Sequence, residues 1–296
     1  MGIGKKKVMW LANIGMIFTA LIWGFAFVVV KDSVDSIPPV YMLAFRFTIA
    51  FVGLSLVFCR KLPKITKSDL VCGGFLGFWL FISYFFQTVA IQYTTAGKNA
   101  FLTTIYVVIV PFLHWAINKK RPDKYCITAA FLAIAGIGLL SLQGDLTMNI
   151  GDVLTIVCGF GYAFHMIYID KYTETHDPII MTVLQIGTAA ILSWATAPLF
   201  DGGFPAAAFS MRIMSGMLYL GLGSTMVAFL LQNVCQKYTT PTSASLFLSL
   251  ESVFGVLFSM IFLHEALTAR MTAGCVLIFA AIIMAETKFS FIRRKE

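Results

Sequence analysis

Charge is scarce in this sequence: only 12% of its 296 residues are Asp, Glu, Lys or Arg, while 59% are hydrophobic. A soluble domain carries about 25% charged residues, because its surface has to be wetted. The deficit excludes a water-soluble globular protein and makes lipid the main solvent. Mean hydropathy is +0.85. Paired cysteines are missing as well. Cys59, Cys72, Cys126, Cys158, Cys235 and Cys275 stand singly in or beside apolar runs, without a C-x-x-C. No disulfide framework or metal site is expected of them, and they read as small apolar fillers. No basic stripe alternates with aromatics on a polar face, so the net charge of +8 does not point to nucleic acid. Long hydrophilic loops are absent, which weighs against a non-transporting scaffold or receptor. No His, Asp or Cys cluster gathers at one interface, which weighs against a membrane-embedded enzyme. Gly97-Lys98 lacks the upstream glycine of a P-loop, and His264-Glu265 lacks the second histidine of a zinc-protease helix. ATP-driven pumping is therefore not supported, and no cofactor or metal is expected.

What the chain does have is ten apolar runs, near 8–30, 40–58, 70–91, 99–117, 125–142, 152–169, 179–199, 213–235, 241–263 and 268–287. Each approaches the roughly 20 residues that cross a bilayer as a helix. The breaks are short and carry turn residues: Pro38-Pro39, Pro63, Pro122, Gly144, Pro178, Asp201-Gly202-Gly203 and Pro241. The first run is too long for a signal-peptide core of about 7–15 residues and ends in no small-residue cleavage pattern, so it reads as a retained helix.

The basic residues give an orientation. With the N-terminus cytoplasmic, the inner segments collect Lys5, Lys6, Lys7, Arg60, Lys61, Lys64, Lys67, Lys119, Lys120, Arg121 and Lys124. Lys171, Lys237, Lys288, Arg293, Arg294 and Lys295 join them. The outer segments hold only Lys31, Lys98, Arg212 and Arg270, with Arg46 left inside the second run. The expected topology is N-in, C-in.

The chain also repeats itself. FFQTVAIQY at 85–93, followed by Thr94-Thr95, aligns with LLQNVCQKYTT at 230–240. Gln87, Val89, Tyr93, Thr94 and Thr95 thereby match Gln232, Val234, Tyr238, Thr239 and Thr240. A weaker match sets Gly24-Phe25-Ala26-Phe27 on Gly161-Tyr162-Ala163-Phe164, and Pro39 on Pro178. Leu and Val recur by chance in any two apolar helices; a spaced Gln…Tyr-Thr-Thr does not. Five helices per half is odd, so the second half (145–296) must insert upside down relative to the first (1–144). Inverted repeats of this kind mark secondary transporters, with a site near the midplane where the halves meet. The expected fold is all-α integral membrane, with ten transmembrane helices in two inverted five-helix repeats.

These segments resemble the EamA family of the drug/metabolite transporter superfamily. The resemblance rests on Trp23-Gly24, Arg46-Phe47, YTTAGKNAFLTTIYVVIVPFL (93–113) and SLFLSLESVFGVLFSMIFLHEALT (245–268), and covers nearly the whole chain. Two departures stand out. Ser252 occupies a position where many members have proline, which predicts a less kinked ninth helix. His264 replaces the usual glycine before Glu265. The resemblance implies ten helices alternating access around a central cavity, lined by the first, third, fourth, sixth, eighth and ninth. It also implies a small-molecule substrate such as an amino acid or a derivative, often moved outward.

Glu251 is the most informative residue, because a carboxylate in mid-run is expensive unless it faces a cavity or a partner. It reads as a cation-binding or proton-exchanging group, or as a structural hydrogen-bonding acid. The shift that sets Gln87 on Gln232 also sets Tyr106 on Glu251. Asn99, Thr103, Tyr106 and His114 share one helical face, equivalent to Ala244, Leu248, Glu251, Gly255 and Ser259. If the repeat axis passes through the cavity, Tyr106 and Glu251 meet the same volume and suit a cationic or zwitterionic ligand. A direct Tyr–Glu bond locking the halves is the alternative. Tyr162 and His165 share a face of the sixth helix with Tyr168 a turn on; His165 is the second candidate for proton coupling, or a neutral packing residue. Trp79, Tyr84 and Gln87 follow helical spacing on the third helix, and Trp23 and Gln232 complete the candidate substrate site. Aromatics and glutamines here serve equally as packing and interhelical glue. Arg46 fits a gating or structural role better than substrate contact, and Glu265 and Asp170, at helix ends, anchor loops. Gly73 and Gly77, Gly136-x-Gly138 and Gly221-x-Gly223 read as close helix packing.

The expected function is secondary transport of small polar or amphipathic metabolites, with export favoured and proton coupling through Glu251 or His165. Uptake of a cationic or zwitterionic metabolite is the alternative. The expected setting is a bacterial inner or plasma membrane, with lipid as partner and a monomer or homodimer as the assembly.

Overall fold

A computed structural model describes residues 3–119, 124–141, 148–204, 210–238 and 241–287. Pro122, Gly144, Thr239, Thr240 and the basic residues Lys120, Arg121, Lys288, Arg293, Arg294 and Lys295 lie outside them. The described chain is helical: α1 (Ile3–Ser33), α2 (Pro39–Val57), α3 (Lys67–Ala90), α4 (Ala96–Thr103), α5 (Tyr106–Asn118), α6 (Lys124–Ser141), α7 (Ile150–Thr173) and α8 (Pro178–Phe200) come first. Then follow α9 (Met211–Leu218), a π-helical segment (Tyr219–Val227), α10 (Ala228–Gln236), α11 (Pro241–Phe262) and α12 (Ala269–Thr287). Seven helical stretches are long and apolar enough to cross a bilayer, and three shorter apolar helices (Ile127–Leu140, Phe247–Phe262, Ala269–Met284) accompany them.

The molecule is turned inside out relative to a soluble protein. Leu56, Val71, Phe131, Ile191 and Leu199 are exposed, while Arg46, Asp152, His165, Gln232 and Glu251 are buried. In lipid this is the stable arrangement, because only polar groups gain by leaving the solvent.

Helix starts are written locally. Thr66 and Asp69 form a capping box at α3, and Asp177 caps α8, where Pro178 occupies the first turn. Asn149 and Thr95 cap α7 and α4. Other ends are closed from across the fold. Asp201 accepts from Val40 N–H (2.7 Å) and Tyr41 N–H (2.9 Å) at the start of α2. Glu265 accepts from Ala96 N–H (2.8 Å) and Gly97 N–H (2.9 Å) at the start of α4. Each carboxylate satisfies two otherwise orphaned donors at the positive end of a helix.

The packing pairs the two halves. Helix α6 lies on α12, and α2 on α8; α1 lies on α11 and on the π segment with α10, as α7 lies on α4–α5 and on α3. Helix α3 packs on α8 as the π segment packs on α2. Exchanging each element for its counterpart in the other half turns this set of contacts into itself. At the α6–α12 crossing, a Cβ on Gly136 would sit 2.9 Å from Gly274 O, and one on Gly274 would sit 2.7 Å from Gly136 O. Glycine is needed there for backbone-to-backbone approach. Gly73 and Gly77 let α3 close on α8, where added Cβ atoms would meet the Leu184 side chain and, at Gly77, Gln185 O and the Thr188 side chain.

Three features differ from or sharpen the sequence reading. The fourth run is not one helix: α4 and α5 break at Thr104–Ile105, where Ile105 N–H and Val107 N–H reach carbonyls only three residues back. The eighth run contains the π segment. The ninth continues unbroken through Ser252, whose hydroxyl donates to Ser249 O (2.7 Å), as expected without a proline. Lys119 (φ 58°) and His264 (φ 54°) are the non-glycine residues with positive φ among the described residues. They end α5 and α11 and are separated by the same interval as Tyr106 and Glu251. His264 thus adopts, without being glycine, the left-handed conformation a helix-ending glycine normally supplies. That turn aims Glu265 at α4.

Candidate functional site

A cavity of about 620 Å³, mouth included, lies between the halves. Its wall takes Trp23, Ala26, Phe27 and Val30 from α1 and Arg46 from α2, with Tyr84, Gln87, Thr88 and Ile91 from α3. Asn99 and Tyr106 come from the broken α4–α5 pair, and Tyr162, His165 and Met166 from α7. Ser224, Phe229, Gln232 and Glu251 complete it from the π segment, α10 and α11. The end reaching Val30 and Ile91 neighbours the α1–α2 and α3–α4 connections. Toward the opposite end Met16, Met166, Ala244 and Leu248 pack together.

Tyr106 and Glu251 meet on this wall. The phenol donates to Glu251 Oε1 at 3.2 Å, and both side chains are buried. The two readings left open for the pair therefore coincide: it bridges the halves and also faces the cavity. The carboxylate accepts from a phenol, and among the described residues no cationic side chain lies in ion-pair range of it.

A second network surrounds Gln87. Its Nε2 donates to Thr103 Oγ1 (3.0 Å), and its Oε1 accepts from Tyr162 Oη (3.1 Å). Asn99 Nδ2 donates to Thr155 Oγ1 (2.9 Å) and more weakly to Gln87 O (3.3 Å). The amide oxygens of Asn99 and Gln232 accept no hydrogen bond, though both residues are buried on the wall. His165 Nε2 bonds Gln185 Oε1 at 2.7 Å, which fixes the ring against α8, and its edge meets Phe229.

Other expected site residues are placed differently. Thr103 stands behind the wall, tied to Gln87. Trp79 lies off the cavity, stacked on Phe164 at 4.4 Å. Tyr168 packs on Phe75 (4.7 Å), and His114 is not among the residues of the cavity wall. The tightened turn at Thr104–Ile105 interrupts the α-helical ladder along the face predicted through Asn99, Thr103, Tyr106 and His114, and of these Asn99 and Tyr106 reach the wall.

Sequence reasoning missed the contribution of α2. Arg46, only 2% exposed, donates from Nε to Thr225 Oγ1 (2.9 Å) and from Nη2 to Ser224 Oγ (2.9 Å). Its guanidinium lies 4.6 Å from the Tyr84 ring centroid. The π segment makes this possible. Its wider turn lets Thr225 Oγ1 donate to Leu220 O five residues back (2.7 Å), and Ser224 O accepts from Trp23 Nε1 (2.9 Å). Such segments recur at functional sites because they re-aim side chains. The sequence signal was an arginine in an apolar run, together with adjacent hydroxyls after Gly221-x-Gly223.

An apolar-surfaced helical shell around a polar cavity is the architecture of a multi-pass integral membrane protein, and it fits a transporter. The chain matches the EamA-like transporter family over residues 10–142 and again over 149–287, and it belongs to that family. It is 35% identical to an uncharacterized transporter of Archaeoglobus fulgidus, over 94% of this chain and 86% of that one. It is 26% identical to a Salmonella typhimurium protein named "Probable amino-acid metabolite efflux pump", over 90% and 91% of the two chains. A crystal structure with 18% sequence identity superposes with a TM-score of 0.68, covering 96% of this chain and 98% of that one; it shows the shared fold.

Proposed function

We propose that this transporter exports small cationic or zwitterionic metabolites, amino acids or amines among them, by alternating access. The observation that carries the reading is Glu251, buried on the cavity wall and held by Tyr106 of the opposite half. A carboxylate with no cationic neighbour in contact among the described residues attracts a ligand ammonium group, and the aromatic wall of Trp23, Tyr84, Tyr106, Tyr162 and Phe229 favours a cation with an apolar body.

The architecture proposed with it is ten spans in two inverted five-helix repeats, 1–144 and 145–296, with both termini inside. The exchange symmetry of the helix contacts supports it, as do the matching left-handed ends at Lys119 and His264. Two family matches along one chain agree with it. Rocking of one half against the other then opens the central cavity to each side in turn. Export is favoured by the name of the Salmonella relative. Coupling to protons runs through Glu251, with His165 as the second candidate.

The test is a ligand screen by thermal shift on purified protein, followed by transport with Glu251→Gln and Tyr106→Phe across a pH series. Amines and amino acids are expected to stabilise the protein and simple anions are not; a preference for anions would sink the reading. Glu251→Gln is expected to weaken binding of an amine by about 10- to 100-fold, the value of a charge-assisted hydrogen bond, and Tyr106→Phe by about fivefold. Unchanged transport and pH dependence in Glu251→Gln would remove the carboxylate from the coupling scheme.

A further inference from the structure

Arginine carries five N–H donors in a rigid fork. In Arg46 the edge formed by Nε and Nη2 is taken, because Thr225 Oγ1 and Ser224 Oγ each accept one bond at 2.9 Å. The face rests on Tyr84. Among the described residues no carboxylate lies within ion-pair distance of it; the ion pairs there are Lys61–Asp177, Lys98–Asp152, His176–Asp69 and Arg212–Asp32. A guanidinium that is 98% shielded, locked in orientation by neutral partners and set on a cavity wall retains donors without acceptors. The remaining edge, Nη1 with the second hydrogen of Nη2, has the geometry that takes a carboxylate in two parallel bonds. Glu251 lines the same cavity and likewise has no ion-pair partner among the described residues. The amide oxygens of Asn99 and Gln232, unpartnered and buried on that wall, add acceptors suited to an ammonium group.

We infer that Arg46, oriented by Ser224, Thr225 and Tyr84, receives the carboxylate of the transported metabolite. The substrate class is thereby a zwitterion with an apolar body, bound between Arg46 and Glu251, and a bare amine is a poor substitute. The inference rests on the transport reading above and narrows it. Burial of two opposite charges on one wall without contact between them is costly. A ligand carrying both complementary charges satisfies each and leaves nothing unpaired, whereas an amine satisfies one.

The probes are L-phenylalanine, phenethylamine and 3-phenylpropionate, which differ only in carrying both charges, the cation alone or the anion alone. Leucine with isopentylamine and tryptophan with tryptamine extend the pairs to other side chains. Binding to the purified full chain is measured by calorimetry or thermal shift. The wild type is expected to prefer the amino acid of at least one pair over its amine by about tenfold or more, the value of one charge-assisted pair. Arg46→Gln is expected to abolish that preference while changing amine affinity less than about twofold. Arg46→Lys keeps the charge and loses the fork, and it is expected to fall between the two. Glu251→Gln is expected to leave the amino acid binding no better than 3-phenylpropionate. An amine that binds as well as its amino acid in every pair overturns the inference and leaves the transport reading standing. So does an Arg46→Gln protein that folds, binds and still discriminates. Equal losses of amino acid and amine in Arg46→Lys would mark Arg46 as a structural tie and overturn it likewise. Failure of every probe to bind overturns both.

Discussion

In the first half Gln87 donates to Thr103 and accepts from Tyr162. In the second half its repeat partner Gln232 leaves a buried amide oxygen with no donor. The sequence explains the contrast, because the positions matching Thr103 and Tyr162 are Leu248 and Phe25. The same comparison runs through two more pairs. Tyr106 faces Glu251, and the Pro39–Pro178 match sets Arg46 opposite Gln185. Gln185 spends its oxygen on His165, while Arg46 spends two donors on the π segment. The halves therefore share helix starts, helix ends and crossings, and differ where side chains enter the cavity. A symmetric scaffold lets two orientations of the protein be close in energy. An asymmetric lining lets each end of a ligand meet a different chemistry.

Substitutions that make the halves alike test this comparison. The largest effect is expected at the glutamines. Gln87→Leu strips Tyr162 and Thr103 of buried partners and should destabilise by about 2 kcal/mol. Gln232→Leu removes an oxygen that has no donor and should change stability by less than about 0.5 kcal/mol while weakening ligand binding. Thermal unfolding with and without ligand distinguishes them, and equal destabilisation would break the assigned asymmetry.

Next come the left-handed helix ends. Lys119→Gly and His264→Gly each relieve a side chain held at positive φ, and each should stabilise by about 1 kcal/mol. A rise in melting temperature for both sharpens the equivalence of the halves; a rise for one alone breaks it.

The smallest effect is expected at the starts of α2 and α8. Burial pushes the Asp177 carboxyl up, but the Lys61 hydrogen bond and the Ile179 and Ile180 N–H groups outweigh it and hold it below its ordinary value. Its contribution is thus present above the unfolded carboxylate range, near pH 4, and is lost as pH falls through the lower folded value. With both side chains of the pair about one-third exposed, Asp177→Asn should cost less than about 0.5 kcal/mol at pH 7, and the gap should close on acidification. Asp201 is pushed the other way by burial, despite the N–H groups of Tyr41 and Val40. Stability linked to its neutral form is full below the unfolded value and falls as pH rises through the folded one. Asp201→Asn keeps an acceptor and should do relatively better at pH 7 than at pH 4. Stability curves against pH for the two variants should therefore slope in opposite directions.

Part of the cavity lining, the candidate site, was legible in the sequence. Glu251 betrayed itself as a carboxylate in an apolar run, and the Gln…Tyr-Thr repeat carried Tyr106 with it. Tyr84, Gln87, Tyr162, His165, Asn99, Gln232 and Trp23 lie on the observed wall. Trp79 does not, because helical spacing says which residues share a face without saying which neighbour that face meets. From the sequence Arg46 reads as a gating or structural residue, for the same reason. Its placement depends on hydroxyls about 180 residues away, on a segment whose π geometry no periodicity announces.

By itself the sequence determined the solvent, the helix-forming runs and the repeat. Each follows from composition or local spacing: the cost of charge in lipid, the length of a span, and a pattern too specific for chance. Only the tertiary structure decided that the fourth run breaks at Thr104, that α2 supplies a guanidinium to the cavity, and that Tyr106 touches Glu251 across the halves. Those facts depend on packing between segments far apart in the chain. Backbone sterics and side-chain partners, rather than hydropathy, choose among the arrangements that lipid permits.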